Sequence, residues 1–313
     1  MEENAVLPLS EDLEAAARLG RAAILARPWV GARGPELADQ FETTVRGGER
    51  AGALFRRAGT FEGVATWEVP SPLGAVVHLL YLAPEVAAPP AYEVFWYGIC
   101  SLVGPIAFAP GEIAGLSEPD EVRLMQGLGL KRFGRSEMRW RPGAPVPPVA
   151  LPRSGTVRPI GRNDASELAR LHRLAYHARF DRYLFLEEED EARDSERMLT
   201  DLFAGRWGEY AEEGSWGLES DGHLIGAVLS VRRPDGILIA DVMVDPSRQR
   251  QGIGAAVLGR TLEALRAAGT AGVYLNVTEG NDSARRLYER LGFERTLGPS
   301  IDWYDPRIIP AAP

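Results

Sequence analysis

A short segment with two glycines and two arginines is the part of this sequence best suited to hold a phosphorylated ligand. Residues 244–254, VDPSRQRQGIG, lie between an apolar stretch and an amphipathic one, where we expect a strand to lead into a helix. The successive backbone N–H groups of such a turn, with the positive end of the helix dipole, form a concave anion site. Gly252 and Gly254 have no Cβ, so a pyrophosphate can approach the backbone closely. Arg248 and Arg250 can add positive charge at the rim.

The turn does not fit the commonest nucleotide sites. It lacks the Lys-Ser/Thr pair of a Walker loop and the GxGxxG spacing of a dinucleotide site. This argues against nucleoside triphosphates and NAD as ligands. A lone GxG is weak evidence by itself, because a plain strand-to-helix turn uses the same residues.

A second pattern follows in the sequence, and the two together resemble a known family. The turn supplies Gln-x-x-Gly-x-Gly at Gln249, Gly252 and Gly254. The second pattern begins 27 residues after Gly254 and comprises Asn281, Ala284, Tyr288, Gly292 and Phe293. In this order they resemble the motifs of the GNAT superfamily of acyl-CoA N-acyltransferases, over about residues 157–304. The resemblance implies a mixed, mostly antiparallel sheet flanked by helices, within the α/β (α+β) class.

The resemblance also implies that acetyl-CoA is the donor substrate. The turn would hold its pyrophosphate through backbone amides, and the strand before the turn would splay from its neighbour to pair with the pantetheine arm. The residues assigned to the donor in this way are Met243, Val244, Gln249, Arg250, Gln251, Gly252, Ile253, Gly254 and Asn281.

Catalytic roles follow from the same resemblance. The Val244 N–H would polarise the thioester carbonyl, and Tyr288 would donate a proton to the departing thiolate. An attacking ammonium must lose a proton, and Asp241 is the first candidate for the base, with Glu279 a weaker one. The alternatives are that Tyr288 is a half-buried helix residue and that Asp241 makes only a structural hydrogen bond.

Hydrophobic periodicity shows how the second half can position these residues. An amphipathic helix is expected after a strand near 157–160, and a second helix near 188–204. Asp221-Gly222 predicts a hairpin. The strand ILIADVMV, a helix over about 252–268, the strand VYLNV, another helix and a last strand near 299–304 complete the order β-α-α-β-β-β-α-β-α-β.

The first half repeats this order in weaker form. LMQGLGLKRF (124–133) aligns with LYERLGFERT (287–296) at an offset of 163 residues, and Trp140 then falls on Trp303. At an offset of 162, Pro84 falls on Pro246. These matches favour an internal duplication over chance similarity between two α/β halves.

The first half departs from the pattern where chemistry is required. The six residues after Pro84, EVAAPP, include no glycine and two prolines, which cannot donate N–H groups. Met125 stands in the place of Tyr288, and Glu118 in that of Asn281. We therefore expect residues 1–145 to form a degenerate GNAT-like domain without the acetyl-CoA loop. A proline-rich linker would follow at 146–156, and the catalytic GNAT domain would occupy 157–313.

Composition narrows the partners and the location. The 313 residues carry 35 Lys+Arg against 44 Asp+Glu, a net charge of −9, which argues against nucleic acid or an acidic membrane as main partner. Cys100 is the single cysteine, so neither an internal disulfide framework nor a cysteine-built metal site is expected. An acidic start and short apolar runs favour a cytoplasmic protein. We expect it to bind no metal and to be a monomer or a homodimer.

The leading hypothesis is an N-acetyltransferase that acts on a primary amine of a small molecule or peptide, by direct attack in a ternary complex. One alternative is mycothiol-synthase-like acetylation of a thiol-sugar amine, because that family is also a tandem GNAT of similar size. Another is a non-catalytic acyl-CoA-binding pseudo-enzyme. A fold and a donor site do not identify the acceptor.

Overall fold

The computed structural model divides the chain into two compact units, each with its own sheet. One unit comprises Met1–Phe133 and Ile301–Ala312, and the other Gly134–Ser300. The residues described are 4–27, 34–71, 73–111, 113, 116–141, 155–177, 179–184, 188, 190–270, 272–296 and 300–309. The expected linker at 146–156 lies outside them except for its last two residues.

The first unit is a six-stranded sheet with four helices. In spatial order its strands are β1 (Asn4–Pro8), β2 (Ala51–Arg57), β3 (Thr60–Ser71), β4 (Gly74–Leu82), β5 (Ile106–Pro110) and β14 (Ser300–Tyr304). Neighbours are antiparallel except for the parallel pair β4–β5. The helices are α1 (Leu13–Leu25), α2 (Gly34–Arg46), α3 (Pro89–Val103) and α4 (Glu118–Gly127).

The second unit has the same plan. Its strands are β6 (Lys131–Trp140), β12 (Val273–Thr278), β11 (Gly236–Val244), β10 (His223–Arg233), β9 (Trp216–Ser220) and β7 (Thr156–Pro159), in spatial order. Two short strands, β8 (Glu209–Tyr210) and β13 (Phe293–Arg295), pair with β10 and β6. Only β11 and β12 are parallel among these neighbours. The helices are α5 (Ala165–Tyr176), α6 (Glu191–Ala204), α7 (Ile253–Ala267) and α8 (Asp282–Arg290).

Two apolar layers hold the second unit together, one on each face of its sheet. Helices α5 and α6 pack on one face through buried leucines such as Leu168 and Leu202. Helices α7 and α8 pack on the other through Leu258, Leu262 and Tyr288. The expected helices, the hairpin at Asp221-Gly222 and the mixed, mostly antiparallel sheet are therefore present, which confirms the fold class predicted from the sequence.

Two segments of the chain lie in a different unit from the one expected from the sequence. Residues from Gly134 to Trp140 belong to the second unit, because β6 pairs with β12 from Arg135 to Trp140. The last strand, β14, pairs with β5 and belongs to the first unit from Ile301 on. The strand after the last helix of each half thus completes the sheet of the other unit.

The two tryptophans matched by the duplication follow this exchange. Trp303 is fully buried in the core of the first unit, where its indole N–H donates to Glu121 Oε1 at 3.0 Å. Trp140 is buried in the core of the second unit, where its indole N–H donates to the Leu291 carbonyl at 3.1 Å. Each tryptophan therefore lies in the core of the unit that is formed mainly by the other half of the sequence.

Replacing Trp303 by alanine is expected to lower the free energy of unfolding by about 3–5 kcal/mol, as for other buried aromatic side chains. Trp303→Phe keeps most of the volume but removes the indole donor to Glu121, so we expect a smaller loss. Urea denaturation followed by far-ultraviolet circular dichroism measures both. The control is Tyr97→Ala, at a side chain that is 61% exposed. A loss in the control as large as in Trp303→Ala would contradict this account of the core.

Candidate functional site

Strands β11 and β12 are neighbours that pair at one end only. The pairs are Ile237–Val273 and Leu238–Tyr274. Beyond them β11 continues to Val244, still paired with β10 on its other side, and β12 continues for four more residues paired with β6. The two strands therefore diverge and leave a V-shaped opening in the sheet.

A bulge in β11 lies where the strands begin to diverge. The register with β10 shifts between Leu229 and Ser230, which leaves Ala240 as an extra residue on β11. A bulge bends its strand and increases the local twist, which is a physical cause for the loss of pairing with β12. It also directs the next residue, Asp241, to the face covered by α5, where its carboxylate meets Tyr176.

A cavity of about 670 Å³ occupies this opening. All of its lining residues lie between Arg135 and Arg290, within the second unit. The N-terminal turn of α7 and one side of α8 line one end, and residues of α5, α6 and the segment between them line the other. The cavity is thus large enough for parts of two ligands that approach from different sides.

The backbone N–H of Val244 points into the opening. Alternate N–H groups of a strand point to opposite edges. The N–H of Asp245 donates to the Ile225 carbonyl, on the β10 side, with an N···O distance of 3.0 Å. The preceding N–H, that of Val244, therefore points to the edge that β12 has left, where an oxygen of a ligand can accept it.

The turn before α7 presents further donors to the cavity. Gly252 is the N-cap of α7, with φ at +81° and no side-chain cap. Arg250 also has a positive φ, +62°. The first N–H groups of a helix have no partner within it, so the amides of Ile253, Gly254 and the next residue can bind an anion where they line the cavity.

Each glycine of this turn has its own reason. At Gly252 a Cβ would meet nothing within 4 Å, and the positive φ is what favours glycine. At Gly254 a Cβ would lie 3.2 Å from Leu287 Cδ2 and 3.4 Å from Val244 Cγ2. Gly254 thus allows α7 to approach both α8 and β11 closely at the edge of the cavity.

Tyr288 lies on α8 and reaches the same cavity. Its side chain is buried, and among the described residues no hydrogen-bond partner is found for its hydroxyl. Burial raises the pKa of this phenol well above its usual value, and the charges of Asp241 and Asp181 raise it further. The group therefore stays protonated at neutral pH and can act as a proton donor.

Asp241 is buried and hydrogen-bonded. The Tyr176 hydroxyl donates to its Oδ1 at 2.6 Å. Burial raises the pKa of Asp241 to about 7, while the hydrogen bond from Tyr176 favours the ionised form. A carboxyl group with this pKa can both accept and release a proton near neutral pH.

Tyr176 belongs to a polar chain that the sequence did not reveal. Its ring stacks on His172 with centroids 4.6 Å apart, and His172 Nδ1 lies 2.9 Å from Ser195 Oγ. Burial lowers the pKa of His172 to about 4, so this imidazole is neutral at physiological pH. Tyr176 and Asp241 are 65 residues apart, so no local spacing could have indicated their contact.

Comparison with known protein families matches one segment of the chain. Residues 171–293 match the model described as the Acetyltransferase (GNAT) family. This segment of the second unit is therefore similar to the GNAT family. The resemblance recognised from the two sequence motifs is thereby confirmed, and the matched residues include the V-shaped opening and the helices around it.

Two curated acetyltransferases are similar to this chain. The ribosomal protein bS18-alanine N-acetyltransferase of Escherichia coli (strain K12) is 37% identical over 84 residues, which are 25% of this chain and 57% of the relative. The mycothiol acetyltransferase of Thermomonospora curvata is 29% identical over 270 residues, 83% of this chain and 84% of the relative. The chain thus spans little more than half of the first relative's length and most of the second's.

Two solved GNAT structures share the fold over nearly the whole chain. A GCN5-related N-acetyltransferase from Sphaerobacter thermophilus has a TM-score of 0.59 at 19% identity, covering 99% of this chain and 97% of that one. A tandem GNAT protein from the clavulanic acid biosynthesis pathway has a TM-score of 0.53 at 15% identity, with 96% and 98% covered. The chain accordingly shares its fold with these two proteins over nearly its whole length.

Seven of the nine residues assigned to the donor line the cavity: Val244, Gln249, Arg250, Gly252, Ile253, Gly254 and Asn281. Met243 does not, because its side chain is buried between the sheet and helices α5 and α6. Gln251 is exposed and lies outside the lining. Asn281 is the N-cap of α8, where its Oδ1 accepts from the Ala284 N–H at 3.4 Å, so it also has a structural role.

The first unit has the same backbone arrangement, closed by one of its own side chains. Leu82 corresponds to Val244 at the offset of 162, and its N–H donates to the Tyr92 hydroxyl at 3.0 Å. Tyr92 is fully buried and corresponds to Gly254 at the same offset. A side chain of the first unit thus takes the hydrogen bond that remains open in the second.

Two other kinds of feature are not found in the part of the chain that the structure describes. None of its helices is long and apolar enough to cross a membrane. Nor does any group of three or more His, Cys, Asp or Glu side chains come together as metal ligands among these residues.

Tyr92→Phe is expected to lower the free energy of unfolding by about 1–3 kcal/mol, because the buried Leu82 N–H loses its acceptor. Thermal and urea denaturation measure the change. The matched control is Tyr97→Phe, the same substitution at an exposed position of the same helix. Equal stability of the two variants would show that the hydroxyl of Tyr92 is not what satisfies Leu82.

Proposed function

We propose that this protein is an acetyl-CoA-dependent N-acetyltransferase whose second unit transfers an acetyl group to a primary amine of a small molecule or peptide. The observation that carries the proposal is the opening between β11 and β12. One cavity there is lined by the Val244 N–H, which points away from β10, by the N-terminus of α7, and by the protonated Tyr288 and the buried Asp241.

The residues at the α7 end suit acetyl-CoA, which supplies an acetyl thioester and an anionic pyrophosphate. The N–H groups at the start of α7, with Arg250 beside them, suit the pyrophosphate. The Val244 N–H is positioned to donate to the thioester carbonyl oxygen, where negative charge develops during the transfer. No metal ion is required for these interactions.

Asp241 and Tyr288 would divide the proton transfers. The ionised Asp241 carboxylate accepts the proton that an acceptor ammonium must lose before its nitrogen can attack. The protonated Tyr288 hydroxyl donates to the sulfur that leaves. Both side chains line the same cavity, so the amine can attack directly with acceptor and donor bound together.

The first unit would be a GNAT-like domain that binds no donor. Support comes from Tyr92, whose hydroxyl takes the N–H that corresponds to that of Val244, and from the two prolines at the start of α3. We propose that the donor stoichiometry is one per chain. The degenerate domain of the sequence analysis then corresponds to this unit.

The chain is similar over most of its length to the mycothiol acetyltransferase of Thermomonospora curvata, and this favours a particular class of acceptor amine. A thiol-sugar amine is therefore the second candidate acceptor. The shorter match to the ribosomal protein bS18-alanine N-acetyltransferase favours a peptide amine instead. A non-catalytic acyl-CoA-binding protein would bind the donor and show no turnover with any amine.

Calorimetric titration of acetyl-CoA into the full chain tests the donor site. We expect one site per chain, and a loss of affinity of at least roughly tenfold in Gly254→Val, whose methyl groups would crowd Leu287 and Val244. Gly127→Val, at the end of α4 where a Cβ would meet nothing within 4 Å, is the control and should retain binding. Tyr288→Phe should bind acetyl-CoA and lose turnover by roughly 10²–10⁴-fold. Two sites per chain would contradict the proposal for the first unit, and no binding would contradict the proposed function.

The pH dependence of turnover tests the base. Because the pKa of Asp241 is about 7, kcat/KM should fall as the pH decreases through this value. The hydrogen bond from Tyr176 lowers this pKa, so Tyr176→Phe should move the acid limb to higher pH. Asp241→Asn should remove most of the activity. The titration of the acceptor amine is common to wild type and Tyr176→Phe, so an unshifted limb would exclude Asp241 as the base.

A further inference from the structure

The segment that follows α5 spans the opening between the diverging strands. At its start, Tyr176 donates to Asp241 on β11. Five residues later, Asp181 accepts from the Thr278 hydroxyl at the end of β12. These two contacts therefore connect the segment to both of the diverging strands.

Arg179 lies between these two contacts in the sequence, and its side chain has no partner of its own. It is half-buried and lines the cavity. Within the described ranges, its guanidinium makes no salt bridge and no hydrogen bond. Its charge reaches Tyr288, where it lowers the pKa of the phenol against the effect of burial. The guanidinium is thus close to the reacting groups.

Two other arginines of the cavity lining have partners within the described residues. Arg182 pairs with Glu191 at 2.6 Å, and Arg233 Nε donates to the Trp207 carbonyl at 2.7 Å. Arg179 differs from both in lacking such a partner. A half-buried guanidinium without a partner loses part of its hydration and gains no ion pair in exchange. A ligand with an anionic group would supply the missing ion-pair partner.

The lining near Arg179 contains both signs of charge. Asp181 and the ionised form of Asp241 can attract a cationic amine, whereas Arg179 can attract an anion. A guanidinium presents paired N–H donors that match the two oxygens of a carboxylate. An acceptor that carries both an ammonium and a carboxylate would complement this arrangement on both sides.

We propose that the acceptor is an amine that carries a carboxylate on the same molecule, as amino acids do, and that Arg179 binds this carboxylate while the amine is directed to Asp241. This inference rests on the proposed function and names the substrate class of the same site. Arg179 then acts as a specificity residue.

The test uses the full chain, acetyl-CoA and matched acceptor pairs, each an amino acid with its C-terminal amide. Release of the CoA thiol gives kcat/KM, compared per concentration of the ammonium form of each acceptor, which is the form that Asp241 would deprotonate. Wild type should prefer the free acids by at least roughly tenfold, the usual size of one charged hydrogen-bonded contact. Arg179→Met should abolish the preference by raising KM for the acids alone. Its acetyl-CoA affinity, measured by calorimetry, reports whether the variant is folded. Arg173→Met removes an exposed charge of α5 outside the cavity and should leave the preference intact.

Three results would overturn the inference. Amides acetylated as well as the acids would overturn it while leaving the acetyltransferase activity in place. The same holds if acetyl-CoA binds and no carboxylate-bearing amine is acetylated, or if Arg179→Met keeps the full preference. Absence of acetyl-CoA binding would be a different failure, because it would remove the proposed function itself.

Discussion

Hydrogen bonding between β11 and β12 stops after two residue pairs, at the level of the bulge at Ala240. Every feature of the candidate site depends on that interruption. Continued pairing would use the Val244 N–H inside the sheet and would leave no room between the strands. The bulge also sets which face Asp241 occupies, so it brings the carboxyl group to Tyr176 on α5. The helices on the two faces then contribute different groups to the cavity, with N–H groups from α7 and the tyrosines Tyr176 and Tyr288 from α5 and α8.

The turn at the start of α7, the proposed donor site, could be predicted because its determinants are local in the sequence. Gly252 needs a positive φ at the start of α7, and the apolar stripe of that helix fixes which side faces the sheet. The acceptor end could not be predicted. The contact between Tyr176 and Asp241 depends on a bulge that no residue pattern marks, and on how α5 packs across the sheet. Strand alternation also turns the side chain of Met243 into the core.

The two units show how little change separates an open site from a closed one. The parallel strand pair and the backbone hydrogen bond after it recur, since Ala83 donates to Glu62 as Asp245 donates to Ile225. The difference lies in one residue of the helix that follows the strand, which is Gly254 on α7 in the second unit and Tyr92 on α3 in the first. A glycine leaves the N–H of its strand open to a ligand, whereas Tyr92 covers the corresponding N–H with its own hydroxyl. The backbone arrangement of the sheet is therefore the same in both units, and the side chain at this one position decides whether the N–H is available to a ligand.

The exchange of the last strands affects the order in which the chain can fold during synthesis. The first unit needs Trp303 in its core, yet this residue emerges from the ribosome only after the entire second unit. The second unit takes β6 from the preceding half, so its parts are all present as soon as Ser300 has been made. Synthesis from the N-terminus therefore completes the second unit before the first, although domains are generally completed in chain order.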